Sequence, residues 1–360
     1  MNHYSAKQYR CPSFNQMEMT DDDCQGAAAD EQKAILSAID SDDSSGGIGD
    51  ARSVLDQHPY IRPLYLGFQR ANQSVCHTGN VGQWEETISK IKLIGQETIP
   101  IPGYPDVDAC LFSKRNAEEG QPLVIYIHGG GWCTGNAESV EWYAKLLASN
   151  SYVVANLDYA LAPEYQYPAS TIQLAEAVNY LYACADQYGY NRDCIFIGGN
   201  SAGAHLASQL GGIFTDPDYA FGIGIETLVP ADSIHGLILY NGVYDFDTVG
   251  ECNFPFAEKL AWCYTGVKNY TEFDRIDELS TIKHITPGYP SVFITAGDAD
   301  PLESQTLEFI QVLDDNKIKV HSLLWSGMQT NLWHDYIYEQ NTKEAIHAYE
   351  ETVSFIEENR

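Results

Sequence analysis

From about residue 120 the apolar positions stop alternating with polar ones and run together. "PLVIYIHG", "SYVVANLDY", "CIFIGGN", "HGLILYNG", "SVFITAG" and "KVHSLLW" are the successive runs. A strand with one wet face alternates in polarity and a strand covered on both faces does not, so these runs predict buried parallel strands. Helix-length segments separate them at 137–149, 168–188, 201–213 and 302–314, and a last one spans 341–358. Such alternation predicts the α/β class: a mostly parallel, doubly wound central sheet flanked by helices, with ligands held beyond the carboxyl ends of the strands. Upstream, "TISKIKLIG", "ETIPIP" and "DACLFS" are short runs broken by Gly and Pro, and predict successive strands of an antiparallel edge.

Two intervals break the rhythm. Residues 246–285 are too long for a plain connection and rich in aromatics, including Phe254, Phe256, Trp262 and Tyr264, which predicts an inserted helical lid over an apolar pocket. Residues 1–50 are polar and acidic around one amphipathic stretch, "DEQKAILSAID", and predict a loosely docked arm. The expected organisation is an acidic N-terminal arm and cap contribution over 1–85, a catalytic domain over 86–245 and 286–360, and cap helices over 246–285.

Charge narrows the partners. Fifty acidic against twenty basic residues give a formal net charge of -30, which repels nucleic-acid backbones and anionic lipid surfaces, so neither nucleic acid nor membrane is expected as a partner. No run of about eighteen apolar residues and no apolar leader with a small-residue cleavage site occurs, which predicts a soluble, cytoplasmic protein. The nine cysteines are odd in number and never form C-x-x-C, which argues against zinc and against a disulfide framework. Nothing calls for a cofactor or metal, and a homodimer is left open.

Candidate chemistry sits just after the apolar runs. Gly199-Asn200-Ser201-Ala202-Gly203 matches G-x-S-x-G between a predicted strand and a predicted helix, the setting in which a serine is held on a sharp turn with its hydroxyl exposed. A helix-capping serine would not need the flanking glycines. A serine nucleophile needs a base, a group orienting that base, and donors for the oxyanion. His128-Gly129-Gly130-Gly131-Trp132 closes another strand, and Gly130 and Gly131 are candidate donors with the Ala202 amide. A phosphate loop would end in Gly-Lys-Ser/Thr, which is missing here. His128 is expected to orient the loop and Trp132 to wall the acyl pocket or pack in the core, both as candidate substrate contacts. Of Asp298 and Asp300, Pro301 places Asp300 at the corner before a helix. Among ten histidines, His334 stands alone beyond the last apolar strand, whereas His205 falls within the nucleophile helix.

Together, HGGGW, "LDYALAPEYQYPA", GNSAG, GDADPL and WHDY resemble, in order and over about residues 98–358, the hormone-sensitive-lipase-like family of α/β-hydrolases of the carboxylesterase type. The resemblance implies an α/β-hydrolase fold with a helical cap. It implies Ser201 as nucleophile, Asp300 as acid and His334 as base, with Gly130, Gly131 and Ala202 as the oxyanion hole. Three places depart from it: many members carry an acidic residue where this chain has Asn200, usually Gly where it has Asp335, and an Asp/Glu-rich start where the helix after Leu302 begins Glu303-Ser304-Gln305. The expected activity is a serine carboxylesterase acting on short acyl (acetyl-type) or aryl esters through an acyl-enzyme. The alternatives are an arylformamidase-like amide hydrolase, suggested by "SAGAHLA", and a non-catalytic ligand-binding receptor on the same scaffold, which the three filled positions disfavour.

Overall fold

The structure, a computed structural model, describes residues 81–114 and 119–360. Expectations for the N-terminal arm fall outside these residues, apart from its last five. In chain order the described elements are helix α1 (Glu85–Ser89), strands β1 (Ile91–Ile99), β2 (Val107–Lys114) and β3 (Gln121–Ile127), α2 (Ala137–Ala148), β4 (Val153–Asp158), α3 (Ala169–Ala183), α4 (Ala185–Tyr188) and β5 (Tyr190–Asn200). There follow α5 (Ala202–Thr215), α6 (Pro217–Ile223), β6 (Ile234–Tyr240), α7 (Ala257–Thr265), α8 (Ile276–Leu279), β7 (Ser291–Ala296), α9 (Glu303–Asp315), β8 (Val320–Leu324) and α10 (Lys343–Asn359).

The eight strands form one sheet in the order β1-β2-β4-β3-β5-β6-β7-β8. Pairing is antiparallel through β1, β2 and β4, and parallel from β4 to β8. The continuous apolar runs follow from burial on both faces. Leu123, Ile125 and Ile127 of β3 join Ile195 and Ile197 of β5 and Leu237 and Leu239 of β6 on one side, with residues of α3, α5 and α9. Their neighbours Val124, Tyr126, Phe196, Ile238 and Tyr240 face the other side, against Val140 and Tyr143 of α2 and Tyr349 and Phe355 of α10. Each fully buried aliphatic side chain contributes roughly 1.5–3 kcal/mol, so this two-faced sheet is the main source of stability and a stiff mount for the loops at its carboxyl edge.

The edge differs from the sequence expectation. "TISKIKLIG" begins in α1, and its second half continues through "ETI" as the single strand β1, with an irregularity between Leu93 and Gly95. There the Tyr188 ring packs where a side chain on Gly95 would stand, 2.3 Å from an added Cβ, so glycine marks a close approach and not a strand break. The helical stretch 168–188 is likewise two helices, α3 and α4, meeting at Cys184. Residues 246–285 fold as α7, α8 and short 3-10 turns between β6 and β7. No helix among the described residues is long and apolar enough to cross a membrane.

Candidate active site

Strand β5 ends at Asn200 and α5 starts at Ala202, leaving Ser201 alone on the corner with φ 53° and ψ -119°. A non-glycine residue holds such a conformation only when its surroundings fix it. They do so through close packing: a Cβ on Gly199 would stand 2.3 Å from the Ile127 carbonyl oxygen, and one on Gly203 2.1 Å from the same atom. The Ser201 amide donates to the Tyr240 carbonyl at 2.8 Å, tying the turn to β6 as well.

The structure brings Ser201, His334 and Asp300 together although 133 and 34 residues separate them. His334 Nε2 lies 2.9 Å from Ser201 Oγ, and Nδ1 lies 3.1 Å from both Asp300 carboxylate oxygens. Asp300 also accepts from the Leu302 amide at 2.9 Å and from the Asn241 side chain, a partner without any signal in the sequence. Burial opposes its ionisation, but the His334 charge and these hydrogen bonds hold the carboxyl below the usual range. Burial likewise pulls His334 down, while the charges of Asp335 and Asp300 outweigh it and push the imidazole up to about 9. Asp298 has another task. It accepts from the Thr330 and Leu332 amides at 2.7 and 2.8 Å and from the Thr330 hydroxyl at 2.8 Å, pinning the loop that leads to His334. Those bonds overcome its desolvation and bring it to about 2.

The glycine loop turns sharply, with positive φ at Gly130 (121°), Gly131 (58°) and Trp132 (61°). At Gly130 a side chain would collide with the Thr134 carbonyl at 2.1 Å. Gly131 and Ala202 line the pocket beside Ser201, whereas Gly130 turns its carbonyl to the Cys133 and Thr134 amides. His128 is fully buried and outside the lining of this pocket: its ring stacks on Tyr159 at 4.3 Å, with Nε2 3.3 Å from Asp158. Trp132 is shared between pocket and core. It lines the pocket and packs in the core, stacked on Tyr264 of α7 at 5.0 Å, with its indole N–H donating to His205 Nδ1 at 3.1 Å. His205 Nε2 in turn meets the Leu279 carbonyl at 2.8 Å, which fixes the neutral Nε2–H tautomer. Burial lowers this histidine to about 4 against that carbonyl's opposite pull. "LDYALAPEYQYPA" braces the loop: the Tyr159 hydroxyl donates to the His128 carbonyl and the Ala162 amide to the Trp132 carbonyl.

Ser201 opens onto a pocket of about 320 Å³ including its mouth, lined otherwise by Gly131, Trp132, Ala202, Val243, Val249, Phe254, Ala257, Leu260 and Leu302. Of the aromatics expected in the lid, Phe254 reaches the pocket and stands edge-on to His334 at 4.8 Å, while Tyr264 backs Trp132. Phe256 and Trp262 are half-buried against the core.

A mostly parallel eight-stranded sheet with a serine on the turn after β5, an aspartate after β7 and a histidine after β8 defines an α/β-hydrolase. The chain belongs to the BD-FAE family, whose sequence profile matches residues 110–309, more than half of it, including Ser201 and Asp300. Esterase LipC of Mycobacterium tuberculosis is similar, 28% identical over 201 residues, which is 53% of this chain and 48% of LipC. An acetyl esterase of Salmonella schwarzengrund is 34% identical over 110 residues, 30% of this chain and 33% of that one. The chain thus spans about half the length of the first relative and a third of the second. Among solved structures, a bacterial heroin esterase superposes with a TM-score of 0.66 at 21% identity, covering 92% of this chain and 98% of that one. Esterase B of Lactobacillus rhamnosis gives 0.67 at 19% identity, over 85% and 96%. These two share the fold.

Proposed function

We propose that this protein is a serine carboxylesterase that hydrolyses short acyl, acetyl-type or aryl esters through an acyl-enzyme. The observation that carries the reading is Ser201 Oγ on its strained corner, 2.9 Å from His334 Nε2 and facing an apolar pocket. Ser201 Oγ attacks the ester carbonyl carbon while its proton passes to His334 Nε2, and Asp300 holds the opposite ring nitrogen and stabilises the imidazolium. The carbonyl oxygen becomes an oxyanion received by the amides of the Gly130-Gly131 turn and Ala202. Collapse breaks the bond to the leaving alcohol, which takes the proton from Nε2. A water then repeats the sequence on the acyl-serine and releases the acid. A short or aryl acyl group matches a small pocket whose side chains, apart from Ser201, are mostly hydrocarbon. Both curated relatives named above are described as esterases. Buried free thiols at Cys133, Cys194, Cys252 and Cys263 suit a reducing, cytoplasmic setting.

Ser201→Ala tested on p-nitrophenyl esters of increasing chain length checks the reading. The expected loss in kcat is at least about 10⁴-fold, with the wild type fastest on the shortest acyl groups. Undiminished hydrolysis by Ser201→Ala would overturn it, and faster turnover of formyl-anilides than of aryl acetates would move the substrate class to formamides.

A further inference from the structure

The nucleophile corner and the histidine loop meet at a second contact besides the Ser201–His334 pair. Asn200 is buried, and its side-chain oxygen accepts from the Gly129 amide at 2.9 Å and from the Tyr338 hydroxyl at 2.8 Å. The Tyr338 oxygen lies 2.8 Å from the Tyr126 hydroxyl, which donates to it. With its acceptor thus fixed, the Asn200 amide nitrogen donates to Asp335 Oδ2 at 3.0 Å. That carboxylate oxygen lies 3.9 Å from His334 Nε2, the nitrogen facing Ser201. Asp335 itself stands in the left-handed region at φ 60°, and its Oδ1 is buried without a hydrogen-bond partner. A half-satisfied buried carboxylate oxygen beside the reacting nitrogen costs stability, so packing alone gives no reason for it.

We propose that Asp335 is a second carboxylate for His334: held by Asn200 against the Nε2 side of the ring, it stabilises the imidazolium formed when Ser201 gives up its proton, as Asp300 does from the Nδ1 side. Asp335 is a positioning residue, since it acts through His334 and touches no reacting atom, and the inference rests on the hydrolase reading above. Asn200 is the residue type the arrangement requires. It offers an acceptor to two donors and a donor to a carboxylate, whereas aspartate there would set two carboxylates 3.0 Å apart. The groups around the pair agree with this assignment. Against His334 stand Asp300, Asp335, the Ser201 hydroxyl and the uncharged Phe254 ring of the lid segment. Asp298 in the same region is occupied by Thr330 and Leu332. Against Asp335 stand Asn200, Tyr338 and Tyr126. Both tyrosines are pushed up, first by burial and also by the Asp335 charge, so they remain neutral hydrogen-bonding groups. The high setting of His334 noted above carries contributions from both carboxylates.

Asp335→Asn is the cleanest variant, because asparagine tolerates φ 60° and can still accept from Asn200 while removing the charge. Full-length protein is compared with Asp335→Asn, Asn200→Asp and the exchange Asn200→Asp/Asp335→Asn, by the pH dependence of kcat/KM on p-nitrophenyl acetate. Ring ¹³C NMR of His334, assigned with His334→Gln, gives the same titration without turnover. The expected result is a His334 midpoint lowered by about one unit or more in Asp335→Asn, the effect of removing one charge within about 4–6 Å. In the exchange, which returns one carboxylate to the site, the midpoint moves back up. An unchanged midpoint in Asp335→Asn by NMR overturns the proposal, as does an exchange variant that titrates like the single variant. Should Asp335→Asn fail to fold, Asp335→Gly, which suits the backbone, replaces it under the same criteria. Absence of esterase activity in the wild type would count against the hydrolase reading alone, because the NMR midpoint still decides the coupling.

Discussion

The two halves of the candidate site are held in different ways. The serine corner and the glycine loop are fixed by backbone: Gly199 and Gly203 close on one carbonyl of β3, and Gly130 closes on Thr134. The histidine is fixed by side chains: Asp300 and Ser201 grip its ring, Asp298 ties the preceding loop, and Asn200 and Tyr338 bind one another beside Asp335. Backbone packing cannot be adjusted by degrees, because an added methyl group meets an atom with nowhere to go. A side-chain network can be retuned one group at a time, so the histidine half is where pH range and rate are open to change without altering the fold.

Substitutions can break that contrast. The largest effect is expected for Asp300→Asn, which favours the wrong imidazole tautomer: kcat should fall about 10⁴-fold, with the urea unfolding midpoint nearly unmoved. A loss in stability as large as the loss in rate would show that the histidine half is structural too. Gly203→Ala should do the reverse, costing about 3 kcal/mol in urea unfolding as β3 and α5 are forced apart. Trp132→Phe, which spans the two kinds of support by leaving His205 Nδ1 without its donor, should cost about 1–3 kcal/mol and loosen the contact between the glycine loop and α7. A further effect concerns protons. His205 titrates at about 4 in the fold, below its ordinary 6.5, so its contribution to stability is complete above pH 6.5 and is lost as pH falls through about 4. Urea midpoints at pH 7 and 4.5 should therefore separate less in His205→Asn than in wild type. The pKa of His334 is shifted the other way, but the pH dependence has the same sign: it must be neutral to accept a proton, so kcat/KM should climb as pH rises through about 9.

This division also explains what could be read in advance. The buried strands, the serine corner and the glycine loop are legible because continuous apolar runs and paired glycines are local consequences of burial and close approach. Asp300 and His334 are legible from their places after β7 and β8. Asn241 is not, because an asparagine after a strand has many uses and only the tertiary fold puts it on Asp300. The tie between Asn200 and Asp335 is equally hidden, since 135 residues separate two positions that each stand out only against a family pattern. His205 reads as an ordinary helical histidine, and its bond to Trp132 depends on how the glycine loop comes to rest on α5. At the sheet edge, Gly95 reads as a break because its neighbour Tyr188 is distant in sequence.

The shared contact of Gly199 and Gly203 with Ile127 bears on transplantation. The pentapeptide is a key cut for one particular lock, namely a carbonyl on the adjacent strand at a fixed height. Grafted into another strand-turn-helix that lacks such a carbonyl, the same five residues would relax into an ordinary helix start. Copying the serine's posture therefore means copying a piece of its neighbour.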